Sequence, residues 1–370
     1  MPGFDTLLNH VGTDPIPRMR RSAPASIATM SGPASRPAPS PGPHPHPPRV
    51  ERLDHGNFVA EIAPDIGGSL ASFYSGASAS RPRIDWLRAT SDSALRAGSP
   101  LGLASFPLVP WCNRIRDGRF EWDGHRVALP PNPDGTPHTI HGIGWRRPWR
   151  VVDRSVDHVD LAFDETGDGE WPFAFAATQR YALDDHGLTV RLVLRNTGTR
   201  AMPAGIGHHP YFAHRRDGDG TRVRASVQAM WRSDAELLPT TLSTACPEVA
   251  ALREGMRLDR FELDNNFTAL EGDARVAWPD GTALRLRAEA PLRHFVLYTP
   301  AQHDHFVMEA VSNCTDWLNL HGQFPHGDLG GARLAPGAEL AATTRFEPMP
   351  APSTDALDRS AATPGTAASE

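Results

Sequence analysis

The sequence predicts an all-β protein, a large antiparallel β-sandwich of many strands around one core. Three observations carry this. The hydrophobic period is two, not 3.6. In "LTVRLVLRN" (188–196), Leu188, Val190, Leu192 and Leu194 share one face. In "ALRLRAE" (283–289), Leu284 and Leu286 take one face and Arg285 and Arg287 the other. Such alternation marks half-buried antiparallel strands. Turn signals separate the runs: "WDG" at 122–124, "DDHG" at 184–187 and "PDG" at 279–281, combinations that suit tight hairpins. Finally, no long amphipathic helix with capping residues is legible. "DSALRA" (92–97) predicts one short helical turn.

The chain of 370 residues divides by composition. Residues 1–48 hold 12 of the 36 prolines and end in "SRPAPSPGPHPHPP". Such a segment cannot bury enough apolar surface to offset the entropy of ordering it, so a disordered tail is expected. Met19 and Met30 are alternative starts within it. A second disordered tail is expected over 350–370. Between them, 49–349 is expected to form one sandwich domain, without internal repeats.

Charge and cysteine content narrow the function classes. The net charge of −6 gives no basic footprint for nucleic acid. The three cysteines, Cys112, Cys246 and Cys314, are widely spaced and odd in number. That argues against a zinc ribbon or a disulfide scaffold and for a reducing, cytoplasmic setting. No apolar run approaches the ~18 residues of a membrane span. Arg18, Arg20 and Arg21 are not followed by the apolar stretch of a secretory signal.

Four stretches concentrate polar side chains among aromatics and Gly or Pro turns: "FPLVPWCNRIRDGRFEWDG" (106–124), "HTIHGIGWRRPW" (138–149), "GIGHHPYF" (205–212) and "YTPAQHDHFVMEAVSNCTDWLNL" (298–320). "FELDNNFTAL" (261–270) lies between the last two. This mixture suits a sugar, whose hydroxyls are read by Asn, Asp, Arg and His while its apolar faces lie against rings. Within these stretches, Asn113–Ile115 ("NRI"), His141–Gly142 ("HG"), His209–Phe212 ("HPYF"), Leu263–Phe267 ("LDNNF") and the glutamate of "FVMEAVSNCTDWLN" occur in one order. In these motifs and their spacing, across roughly 50–348, the chain resembles the aldose 1-epimerase (galactose mutarotase) family. It departs from that pattern in Ala310 after the glutamate, often a Pro, and in Gly-Ile-Gly after His141, often Gly-Gly.

The resemblance implies a galactose mutarotase-like supersandwich, agreeing with the periodicity. It implies a small-molecule sugar substrate and no cofactor or metal. It also implies roles: His209 the general acid, Glu309 the general base, and Arg114, His141, Asp264 and Asn113 the sugar-binding residues. The residue types suit the chemistry independently. Interconverting anomers opens a cyclic hemiacetal, which removes the O1 proton and delivers one to the ring oxygen O5. A carboxylate of ordinary pKa ~4.3 accepts, and a protonated histidine of ordinary pKa ~6.5 donates.

Blander readings stand beside these. Asp264 could serve a turn, Arg114 an ion pair, and His141 the packing. Trp111, Trp145, Trp317 and Tyr298 read first as core and only second as sugar platforms. His208 is expected to point away from the cavity that His209 faces. Gly205 and Gly207 are expected to allow close backbone approach, and Pro210 to end strand pairing. The His-x-His spacings at 44–46 and 303–305 are weak metal signals, and "DGDG" (217–220) falls short of a calcium loop. The alternatives to a free-sugar epimerase are three. One is a hexose-6-phosphate 1-epimerase, with Arg116, Arg146 and Arg147 as candidate phosphate cations. Another is a non-catalytic carbohydrate binder. The last is a metal enzyme built on His141, His208, His209 and Glu309.

Overall fold

The computed structural model describes residues 48–76, 82–132, 135–167, 169–214, 220–300, 303–324 and 328–349. Apart from Pro48, the two expected tails lie outside these residues, as does most of "DGDG".

Two antiparallel sheets dominate, one of eleven strands and one of nine. The alternation read from the sequence sits in the nine-stranded sheet. Strand Gly187–Asn196 buries Leu188, Val190, Leu192 and Leu194. Strand Ala283–Ala288 buries Leu284 and Leu286. Each expected turn joins a hairpin: 122–124 links Arg119–Trp122 to His125–Ala128, 184–187 links Phe175–Asp184 to Gly187–Asn196, and 279–281 links Glu271–Ala277 to Ala283–Ala288. The helical turn is Asp92–Ala97, where Ser91 caps by accepting the Ala94 N–H and Gly98 closes the helix at positive φ. An eight-residue helix, Pro247–Glu254, was not legible. Only Val249 and Leu252 of it are buried, too few apolar positions to show a helical period.

The eleven-stranded sheet positions the site. Its middle runs, in spatial order, Ser105–Leu108, Gly207–Ala213, His305–Val311, His294–Tyr298 and Asp264–Thr268. One face of these strands enters the main core with Phe212, Phe295, Leu297, Phe306 and Met308. The opposite face carries a smaller cluster of Phe106, Leu108, Cys112, Tyr211, Val296, Val307 and Val311, against which Trp145 and Tyr298 pack. Both faces are therefore covered, which explains why "HFVMEAV" reads as a nearly unbroken apolar run. Pro210 corrects an expectation. Strand Gly207–Ala213 continues through it, pairing Pro210 with Ser105 and Tyr211 with Val307. The cysteines are buried and free.

Candidate active site

Strand register brings the acid and base candidates together. Gly207 pairs with Val311 and Tyr211 with Val307. Midway between these pairs, His209 and Glu309 stand at opposing positions. Facing residues on neighbouring strands share a face and sit close. His209 Nε2 lies 3.2 Å from Glu309 Oε1. On its other flank His209 pairs with Phe106, whose ring stacks on the imidazole at 4.6 Å and 17°. Trp145 stacks in turn on Phe106 at 5.1 Å. Tyr211 closes the next position of the strand, 4.6 Å from the His209 ring.

His208 points the other way. Its Nε2 lies 2.8 Å from Gln179 Oε1, and Gln179 donates from Nε2 to Gly68 O at 2.7 Å. That second bond fixes the amide orientation, so His208 Nε2–H is the donor. Gln179 belongs to the nine-stranded sheet, so His208 ties the two sheets together. The two flanking glycines are needed here. A Cβ on Gly205 would fall 1.9 Å from Asn313 Oδ1, and one on Gly207 would fall 2.7 Å from Val311 Cγ1.

Two loop residues complete the wall from left-handed backbone. Asn113 has φ 61° and His141 φ 66°, uncommon for residues with a Cβ and worth strain where a site demands it. They are tied reciprocally: His141 N–H donates to Asn113 O, and Asn113 N–H donates to His141 Nδ1 at 3.2 Å. Gly142 follows with φ 74°, where a Cβ would meet Val109 O at 2.1 Å. This contact gives the "HG" motif its physical reason. Since His141 Nδ1 accepts, the proton of the neutral ring sits on Nε2. Burial, with the His209 and Arg114 charges adding, holds His141 well below its ordinary pKa. The ring is thus a neutral N–H donor, edge-on to His209 at 5.2 Å.

Arg114 Nη2 donates to Asp264 Oδ2 at 3.2 Å, and Asn113 Oδ1 accepts from the Arg114 backbone N–H at 2.8 Å. Asp264 begins a strand rather than a turn. The cations considered for a phosphate are spent elsewhere: Arg146 and Arg147 both pair with Glu170, and Arg116 with Asp316. Arg88 lies over Tyr211, its Cζ 3.8 Å from the ring centroid, and donates to the carbonyls of Leu101 and Leu103. Phe106 opens the 106–124 stretch but carries no motif of its own. Its signal was only the aromatic density around it. Trp111 and Trp317 are core residues, and Trp145 is the tryptophan at the site.

Burial pushes the acid–base candidates toward their neutral forms. Desolvation lowers His209 to about 3 and raises Glu309 well above 4.5, with Asp264 adding to the rise and Arg114 opposing it. A ring nitrogen each from His141 and His209 and a Glu309 oxygen lie within 4.8 Å of one another, a separation at which a divalent ion could bind. The donor set fits poorly, because the His141 nitrogen free to face an ion is the one carrying the proton, and His208 is turned away.

A sandwich face that buries a histidine–carboxylate pair among hydrogen-bonding groups and stacked rings suits acid–base chemistry on a sugar. The comparison with known families narrows this reading. The aldose 1-epimerase profile matches residues 49–347, and the chain belongs to that family. This makes it an epimerase-type isomerase with a sugar substrate. It is 29% identical over 297 residues to the uncharacterized protein YphB of Escherichia coli K12, covering 77% of this chain and 93% of that protein. It is 30% identical over 118 residues to an aldose 1-epimerase of Escherichia coli K12, covering 31% of this chain and 33% of that one. Its fold superposes on the crystal structure of a candidate aldose 1-epimerase from Escherichia coli K12 with a TM-score of 0.71 at 25% identity, covering 81% of this chain and 99% of that one. A galactose mutarotase-like protein from Clostridium acetobutylicum shares the fold with a TM-score of 0.71 at 19% identity, covering 80% and 94% of the two chains. No helix among the described residues is long and apolar enough to cross a membrane.

Proposed function

We propose that this protein interconverts the α and β anomers of a free aldose, with Glu309 as base and His209 as acid. The observation that carries this reading is the 3.2 Å separation of His209 Nε2 and Glu309 Oε1. The two atoms exchanging protons, O1 and O5, are bonded to the same carbon. Partners set close together therefore serve both, closer than the ~5–9.5 Å carboxyl pairs that cleave glycosides. Glu309 takes the O1 proton as the C1–O5 bond breaks, and His209 delivers a proton to O5. The aldehyde rotates about C1–C2, and the same two groups, with roles reversed, close the ring on the other face.

The opposed pKa shifts suit this exchange. Burial favours the neutral pair, with the proton on the carboxyl. Moved to His209, the same proton gives the carboxylate and imidazolium that the reaction needs. Bound hydroxyls and the Arg114 guanidinium favour that charged form. In this reading the His141 Nε2–H and the Arg114–Asp264 pair hold sugar oxygens, and Asn113 fixes both loops from behind. The pairing of Arg146 and Arg147 with Glu170 and of Arg116 with Asp316 favours a free sugar over a phosphorylated one.

Polarimetry tests the reading. Freshly dissolved α-D-glucose or α-D-galactose should approach equilibrium faster with catalytic protein than in buffer, and Glu309→Gln should abolish the difference. No acceleration on either sugar would overturn it.

A further inference from the structure

Asn266 stands on the same face of the sheet as Glu309, and its amide is unpaired among the described residues. It is 4% exposed, and neither Oδ1 nor Nδ2 has a hydrogen-bond partner among the described residues. Its neighbour Asn265 differs: that amide donates to Trp231 O at 3.0 Å. Register places Asn266 opposite Val296, and Val296 opposite Glu309. All three therefore face the same side, the side where Val296 packs with Phe106 and Tyr211. Asp264, two residues earlier on the same strand and hence on the same face, is held by Arg114. Glu309, Asp264 and Asn266 thus ring the Val296 side chain.

Resting on the epimerase reading, we propose that Asn266 reads a sugar hydroxyl on the side of the ring remote from C1, at C3 or C4, and so sets substrate preference. Two strand spacings of ~4.8 Å separate its strand from that of Glu309, roughly the span of a pyranose with a hydrogen bond at each end. With O1 at Glu309, the opposite edge of the ring meets Asn266. An amide both donates and accepts, as a hydroxyl does. A carboxylate such as Asp264 only accepts and a guanidinium such as Arg114 only donates, so of the three Asn266 alone can do both. A buried amide left unpaired is costly, and a site built to hydrogen-bond a hydroxyl discriminates strongly against analogues without it.

The experiment compares wild type with Asn266→Leu, which keeps the approximate volume and removes both polar atoms. KM and kcat are measured on D-glucose, D-galactose and the 3-deoxy, 4-deoxy and 6-deoxy glucoses. KM on glucose should rise about tenfold or more with kcat little changed, since the lost interaction holds substrate and transition state alike. The 3-deoxy or the 4-deoxy sugar should bind the two proteins equally, and the 6-deoxy sugar should show the same rise as glucose. A variant with unchanged KM on every sugar, or an equal rise on all five, overturns the proposal. Asn266→Ser, smaller and still polar, replaces the leucine variant if that fails to fold. The wild-type deoxy series stands without any variant: equal KM for 3-deoxy, 4-deoxy and parent glucose overturns the proposal too. Wild type is measured first. Absence of any acceleration there defeats the epimerase reading and this inference with it, whereas an active wild type with an indifferent Asn266→Leu defeats this inference alone.

Discussion

His208 and His209 are adjacent on one strand, and burial pushes both down to about 3, yet they face different surroundings. His208 turns into the sandwich, where Gln179 accepts its proton at 2.8 Å. His209 turns outward to Glu309, and its Nδ1 meets no partner in good hydrogen-bond geometry among the described residues. Glu309 Oε2 is likewise without one. The depressed pKa is common to both residues and so does not mark function. What separates them is satisfaction. The structural histidine has its hydrogen bond closed, while the outward pair keeps hydrogen-bonding atoms unpaired among the described residues.

The comparison breaks most visibly in turnover. Glu309→Gln and His209→Asn should each lower kcat by ~10²–10⁴, the usual weight of a positioned acid or base. The double variant should lose little more than the worse single one, since the two act as a unit. Polarimetry over a range of protein concentrations reads all three. Independent, multiplying losses would mean that the residues serve separate steps. His141→Phe keeps a ring and deletes the Nε2–H. A smaller loss of ~10–100-fold is expected, below that for a donor to a full oxyanion, and His141→Gln should recover part of it.

His208→Ala belongs on the other side of the comparison. It leaves the Gln179 oxygen buried and unpaired and should cost about 1–3 kcal/mol of stability, seen as a lowered denaturant midpoint. The kcat of the folded fraction should stay within a few-fold of wild type. A kcat loss matching that of His209→Asn, with stability unaltered, would reverse the assignment of the two histidines.

Much of this is legible in the sequence. Period-two runs such as 188–196 and turns such as 184–187 are local signals, and they gave the sheets. The motif residues Arg114, His141, His209, Asp264 and Glu309 proved to converge on one face. The register that sets His209 opposite Glu309 was not legible, because it joins positions a hundred residues apart and depends on the strand partners chosen. Pro210 was misread because a missing N–H matters only where the neighbouring strand needs it, and the strand pairs on past it. His141 looked like an ordinary loop residue until its positive φ and the Asn113 bond fixed its tautomer. Asn266 resembled its satisfied neighbour Asn265 until partners could be traced.

The smallest effect probes the unpaired atoms directly. Burial raises the Glu309 pKa above 4.5, so the folded protein holds that proton more tightly than the unfolded chain. The associated stability is complete below about pH 4.5 and is lost as pH rises through the folded value. Glu309→Gln cannot ionise and escapes this loss. Melting curves for the two proteins between pH 5 and pH 8 should therefore diverge, with the variant gaining a few degrees relative to wild type as pH increases. His209 has the opposite slope, its stability being lost as pH falls from about 6.5 toward 3. It is present in both proteins, so to first order its contribution leaves the difference unchanged. A wild type that instead gains on the variant with rising pH would show Glu309 ionised and stabilised in the empty site, with His209 or Arg114 as its counter-charge. The site would then be charged before the sugar arrives, and the distinction from the satisfied His208 side would rest on charge rather than on unfilled hydrogen bonds.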